Sequence, residues 1–263
     1  MSAHDAGLVD THAHLDAQEF AGDCDEVVRR AAAAGLVAVV TVGVDLESSR
    51  AAIRLAERYP MVVAAVGIHP HNAAGGNETT LRELRVLACH ARVVAVGEIG
   101  LDYYRNRVAP DVQRRVFAAQ LTMAAEVGLP VIVHDREAHE DVMQFLSRQT
   151  SVGPLSGVLH CFSGDVAMAR VIERLGFFLS VAGPVTYPKS ERLTEVVRAV
   201  PTSQILVETD CPFLTPQQWR GKRNEPAFVR TTLERVATLR GQPAAQVAAE
   251  TTANAARLFG RRL

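Results

Sequence analysis

Apolar residues fall in eight short continuous runs along the chain, at residues 7–10, 36–44, 61–68, 93–96, 130–133, 157–159, 177–181 and 205–207. Each run is rich in Val, Ile and Leu, and is followed by a polar loop and then an Ala/Leu/Arg stretch that stops at Gly or Pro. Unbroken rather than alternating apolarity is what parallel strands show when helices cover the sheet. Asp23 and Glu26 have the spacing of a capping box before a helix over 27–34, with Gly35 as its left-handed C-terminal residue, and Pro60, Gly128 and Gly176 supply further stops. Eight strand–helix units in 263 residues predict a (β/α)8 TIM-type barrel rather than an open doubly wound sheet. No internal repeat, low-complexity tail or Pro/Gly/Ser linker divides the chain, so a single domain is expected over residues 1–263.

Composition adds little beyond solubility. The chain is 48% hydrophobic and 22% charged with net charge −1, so it can bury a full core and has no general attraction to nucleic acid. Phosphate binding must therefore be local or metal-mediated. Cys24, Cys89, Cys161 and Cys211 form no C-x-x-C pair, which fits reduced thiols in a cytosol better than a zinc knuckle or a disulfide framework. The start of the chain has no basic segment leading into an apolar core, and no apolar stretch reaches the roughly 18 residues that span a bilayer. A cytoplasmic protein without membrane attachment or an obligate protein partner is expected.

Candidate chemistry lies where the runs end. His12 and His14 stand at i and i+2 after the first run, so on extended backbone both imidazoles face one side; alone, such a pair also describes a polar loop with two solvated histidines. Glu98, His134, His160 and Asp210 each follow a different run, at the strand ends where barrel active sites are assembled. Singly each has an ordinary explanation, such as a solvated carboxylate or a helix cap, but together they make a metal site at the C-terminal ends of the strands. Imidazoles mixed with carboxylates suit Zn²⁺, Mn²⁺ or similar ions better than Ca²⁺. Six protein ligands exceed the three that one open zinc needs, which favours two metals with a bridging carboxylate.

Seven motifs carry a family resemblance: Asp10-Thr11-His12-Ala13-His14-Leu15, Gly67-Ile68-His69-Pro70-His71, Gly97-Glu98-Ile99-Gly100-Leu101-Asp102-Tyr103-Tyr104, His160-Cys161-Phe162-Ser163-Gly164, Glu208-Thr209-Asp210-Cys211-Pro212, Arg220-Gly221-Lys222-Arg223-Asn224-Glu225-Pro226 and Asn254-Ala255-Ala256-Arg257-Leu258-Phe259. In this order the chain resembles the TatD family of metal-dependent deoxyribonucleases, amidohydrolase-like barrels, over nearly its whole length. The resemblance implies a hydrolase that cleaves DNA, single-stranded or at its ends, as an exonuclease using water activated by two divalent ions (Zn, Mn or Mg). It implies one metal on His12, His14 and Asp210, the other on His134 and His160, and Glu98 shared. Asp210 would accept the water's proton, and His69 would lie near substrate and orient the phosphate or the leaving oxygen. One departure is that Asp135 follows His134, where the family often has Ser or Thr.

The basic segment Arg220, Lys222 and Arg223 follows the last strand and is a candidate clamp for the nucleic-acid backbone. Tyr103, Tyr104 and Trp219 are candidates for base stacking or for packing, which spacing does not separate. Two other functions remain open: a hydrolase of an amide, lactone or ester on the same metals, and a metal-binding scaffold without turnover.

Overall fold

The computed structural model describes residues 7–260, so the polar start at residues 1–6 lies outside the described residues. Eight strands follow in order: β1 (Leu8–Ala13), β2 (Leu36–Val42), β3 (Val62–Val66), β4 (Val93–Asp102), β5 (Val131–Arg136), β6 (Gly157–Leu159), β7 (Phe178–Val181) and β8 (Ile205–Val207). All pair in parallel with their sequence neighbours. Helices α1 (Cys24–Ala33), α2 (Leu46–Arg58), α3 (Glu78–Ala88), α4 (Pro110–Val127), α5 (His139–Val152), α6 (Val166–Arg174) and α7 (Glu191–Ala199) fill the crossovers, and α8 (Val229–Arg240) and α9 (Ala244–Phe259) follow β8. This is the expected (β/α)8 barrel.

The strands bury side chains on both faces. One face packs Val39, Val62, Val96, Val131 and Leu179 into the layer shared with the helices. The other places Val40, Val63, Val94, Ile132, Val158 and Leu206 in a second cluster, joined by Ala255, Leu258 and Phe259 of α9. With a side-chain period of two, His134 follows Ile132 and His160 follows Val158 onto that inner face. Helix α9 lies at the opposite end: Thr252 Oγ1 donates to Gly7 O (2.6 Å) and Asn254 Nδ2 to Thr202 O (2.7 Å) and Ile205 O (2.8 Å), all near the N-terminal ends of β1 and β8.

The barrel closes on a seam between β1 and the segment after β8. Asp210 N–H donates to His12 O (2.9 Å) and His14 N–H to Cys211 O (2.8 Å). Asp10, fully buried, accepts from Thr209 N–H (2.9 Å), Thr209 Oγ1 (2.6 Å) and His12 N–H (3.3 Å). These bonds draw His12, His14 and Asp210 to one place although about 200 residues separate them in sequence.

Two local expectations differ from the structure. Strand β4 runs past the apolar run to Asp102, so Glu98 lies within it, and His12 and His134 likewise lie inside β1 and β5. An apolar run ends where side chains turn polar, whereas a strand ends where backbone pairing stops. Here pairing continues through a register shift between Val96 and Ile99 and past Gly100, at φ +142°, where an added Cβ would stand 2.0 Å from His134 O. Asp23 occupies the N-cap of α1 but makes no capping hydrogen bond. Its carboxylate accepts instead from Arg223 at 2.8 and 2.7 Å, because a guanidinium out-competes a neutral N–H, and Glu26 pairs with Arg29. Gly35 does adopt the left-handed conformation, at φ +87°. A capping box forms at α2, where Ser48 N–H donates to Asp45 Oδ1 (2.8 Å) and Asp45 N–H to Ser48 Oγ (2.9 Å). Among the described residues no helix is long and apolar enough to cross a membrane, and all four cysteines are free.

Candidate metal centre

His12, His14, Glu98, His134, His160 and Asp210 converge at the C-terminal mouth of the barrel. Glu98, 3% exposed, is central. Its Oε2 faces His12 Nε2 (3.4 Å) and His14 Nε2 (3.7 Å), while its Oε1 faces His134 Nδ1 (2.8 Å) and His160 Nε2 (2.9 Å). Asp210 Oδ1 completes the first group, 3.5 Å from His14 Nε2 and 3.7 Å from His12 Nε2. Asp210 holds the left-handed backbone (φ +55°), which Asp tolerates better than most residues and which turns its carboxylate back over the mouth.

The donor set fits divalent cations. His12 Nε2 and His14 Nε2 approach to 3.2 Å, and His134 Nδ1 and His160 Nε2 to 3.3 Å. Ring nitrogens brought this close beside buried carboxylates need a hydrogen or a metal ion between them. The groups His12–Glu98–His160, His12–His14–Asp210 and His69–Glu98–His134 each bring three donor atoms within 4.8 Å of one another.

Electrostatics describe the same arrangement from the proton's side. Burial disfavours every charge here, yet the surrounding imidazoles hold Glu98 well below the usual carboxylate range, and His14 and His12 lower Asp210. Burial would also lower the histidines. Against it, Asp210 and Glu98 push His14 up to about 9, Asp102 and Glu98 raise His134, and Glu98 with Glu208 raises His160. His12 is lowered by burial and by the charge of His160. The pocket is built to hold cationic charge.

His69 behaves differently. Its Nδ1 accepts from His71 N–H (3.0 Å), and burial lowers its pKa to about 4, so the neutral ring carries its proton on Nε2, 3.4 Å from Glu98 Oε1. This makes it a donor toward Glu98 rather than a free ligand. Asp135 turns to His139 Nδ1 (2.8 Å) and makes no ion pair with the cluster.

Four groups escaped the sequence reading: the buried Asp10, Asp102 and Glu208, and the half-buried His71. Asp102 Oδ2 accepts from His134 Nε2 (3.2 Å) and His71 Nε2 (2.8 Å), and its Oδ1 accepts from Arg105 N–H (2.8 Å). Glu208 Oε1 accepts from Cys161 N–H (2.6 Å) and lies 3.4 Å from His160 Nδ1, while Oε2 is buried without a partner. Each stands two or four positions from a candidate on the same strand end or loop, the spacing that returns side chains to one face. That spacing was the available signal.

The basic segment is not uniform. Arg220 lies over the Tyr187 ring (4.9 Å to the centroid) and Lys222 over Trp219 (5.0 Å), both exposed. Arg223 is bound to Asp23. Trp219 stacks on Phe228 at 4.8 Å, and Tyr103 donates its hydroxyl to Asp141 (2.5 Å), so both are packing residues here. Tyr104 is 61% exposed beneath the Arg136 guanidinium, 4.2 Å from its ring centroid.

A parallel α/β barrel with imidazoles and carboxylates gathered at its C-terminal mouth defines a metal-dependent hydrolase. Residues 9–260 match the family of TatD related DNases, and the chain belongs to that family. It is 42% identical over 252 residues to the uncharacterized metal-dependent hydrolase YabD of Bacillus subtilis, covering 96% of this chain and 98% of YabD. It is 37% identical over 258 residues to the 3'-5' ssDNA/RNA exonuclease TatD of Escherichia fergusonii, covering 96% and 99%. Among solved structures, that of YJJV, a TatD homologue from Escherichia coli, superposes with a TM-score of 0.90 at 31% identity, covering 96% of this chain and 97% of YJJV.

Proposed function

We propose that this chain is a single-domain exonuclease acting on single-stranded nucleic acid, with two divalent ions held by His12, His14 and Asp210 on one side and by His134 and His160 on the other. Glu98 carries the reading, because its two carboxylate oxygens face the two histidine pairs separately. The name of the Escherichia fergusonii relative supports the substrate class. The four free cysteines suit a reducing compartment such as the cytoplasm.

When bound, the ions supply Lewis acidity for water activation and screen the charge of the phosphate oxygens. The chain's own residues do the rest. Asp210, lowered by His14 and His12, is ionised at neutral pH and takes the proton of the attacking water. His69 keeps a proton on Nε2 beside Glu98 and orients that carboxylate or a phosphate oxygen. Arg220 and Lys222 are left to receive the polynucleotide, while Arg223 ties the loop to Asp23.

The purified protein, supplied in turn with Mn²⁺, Mg²⁺ and Zn²⁺, is to be assayed on single-stranded DNA, a chromogenic phosphodiester and a lactone. Stepwise shortening of DNA with no lactone turnover is expected. Lactone hydrolysis without DNA cleavage would place the activity at carbon instead, and tight metal binding without turnover on any substrate would mark a scaffold.

A further inference from the structure

Phe213 is held in the open beside the metal centre. It is 54% exposed, three residues beyond Asp210, and its ring centroid lies 6.2 Å from that of His14 at an interplanar angle of 63°. Isolated exposed apolar residues are ordinary on a protein surface. What sets this one apart is how firmly its backbone is fixed. Phe213 N–H donates to Asp210 O (2.9 Å), and the fully buried Asn224 donates through Nδ2 to both Phe213 O (2.6 Å) and Thr209 O (2.9 Å). Asn224 N–H donates to Pro212 O (3.2 Å), and downstream Tyr187 Oη donates to Thr215 O (3.1 Å). A segment pinned on both sides presents a flat apolar ring, more than half exposed, at the edge of the pocket where the reacting phosphate would sit.

The other large apolar residues with comparable exposure are Val37, Val86, Val152 and Tyr104. The valines lie on β2, on α3 and at the end of α5. Tyr104 already has the Arg136 guanidinium on its ring. Phe213 is the exposed aromatic among them without a cation over it.

From this geometry we infer that Phe213 is a stacking platform for the unpaired nucleobase of the nucleotide whose phosphate enters the centre. This rests on the nucleic-acid reading above and adds to it a binding residue and a ligand class. A base offers a π-face of matching size whatever its identity, so the platform selects single strands without selecting sequence, and a base paired in a duplex is not free to reach it. Because Asp210 and Asn224 hold the backbone of Phe213, little backbone ordering opposes the contact.

The test compares two oligodeoxynucleotides of equal length and charge, one natural and one with an abasic residue at the terminal nucleotide to be removed, on the metal-loaded enzyme. Wild type should prefer the natural end in kcat/KM by about 5- to 150-fold, the range of one base–aromatic stack. In Phe213→Ala that ratio should fall toward one, and Phe213→Trp should restore it. A Phe213→Ala enzyme that keeps the wild-type ratio overturns the platform while leaving the nuclease reading intact. Equal losses on both ends in Phe213→Ala do the same, because they show a structural role. If wild type cleaves neither oligonucleotide, the nuclease reading falls and the platform falls with it.

Discussion

The two histidine pairs at the barrel mouth are matched in ligands but not in what stands behind them. On the β5/β6 side, His134 donates to the carboxylate of Asp102, while His160 Nδ1 lies 3.4 Å from Glu208 Oε1 without a hydrogen bond to it. On the β1 side, His14 Nδ1 donates to a neutral acceptor, Val42 O (3.0 Å), and His12 Nδ1 is buried without a partner. A carboxylate behind an imidazole fixes its tautomer and raises its basicity, which strengthens its hold on a metal. Asp102 thus sets the β5/β6 pair apart from the β1 pair, where His14 meets only a backbone carbonyl.

The largest disturbance removes the group the halves share. Glu98→Ala should lose metal on both sides and lower turnover by several orders of magnitude with far-UV CD unchanged, because the barrel core does not depend on it. Metal analysis showing both ions retained at near-normal turnover would break the shared-carboxylate assignment. Asp210→Asn acts on the β1 half alone: kcat should fall by roughly 10²- to 10⁴-fold with a smaller change in KM, since an amide cannot take the water's proton. A loss confined to KM would remove it as base.

Asp102→Asn should weaken metal binding about 10- to 100-fold at the β5/β6 half and leave the β1 half as it was. Chelator competition that finds both ions loosened equally would contradict the asymmetry.

Protons give a finer reading. A raised histidine keeps its proton until pH passes its folded value, and a protonated nitrogen cannot bind metal. In the β1 half only His14 is raised, to about 9, so affinity there should rise about tenfold per pH unit below that value. The β5/β6 half has two raised imidazoles and should rise more steeply. Equal slopes in Zn²⁺ titrations below about pH 9, where His14 holds its proton, would remove the distinction.

The smallest effect lies outside both halves. Replacing Arg220 and Lys222 by Gln should flatten the salt dependence of single-strand binding by about 0.7 per lost contact. Replacing Arg223 should leave that slope alone and lower stability, because its guanidinium is paired with Asp23. A slope change from Arg223 alone would reverse this division of the loop.

The barrel and six converging residues were legible in the sequence because both depend on short-range regularities. Continuous apolar runs report strands buried on both faces, and a polar residue at the end of each run reports the mouth. The i, i+2 spacing of His12 and His14 was enough to place both imidazoles on one side. What lay behind the histidines was not legible. Asp102 and Val42 O come from other strands and Glu208 from the segment after β8, and strand spacing does not state which neighbour a ring nitrogen will meet. The three cations of the basic segment look alike in sequence, yet only the fold brings Asp23 of the first crossover against Arg223.

The sequence by itself thus determined the class of fold, the end of the barrel that carries the chemistry and the identity of the converging groups, since period and strand order are properties of the chain. Only the tertiary structure decided that one carboxylate lies between the two histidine pairs, that the pairs are backed unequally, and that Phe213 stands exposed beside them. Those facts depend on the seam where β1 meets the segment after β8 and on contacts between distant strands, where closure of the barrel, not local propensity, sets the distances.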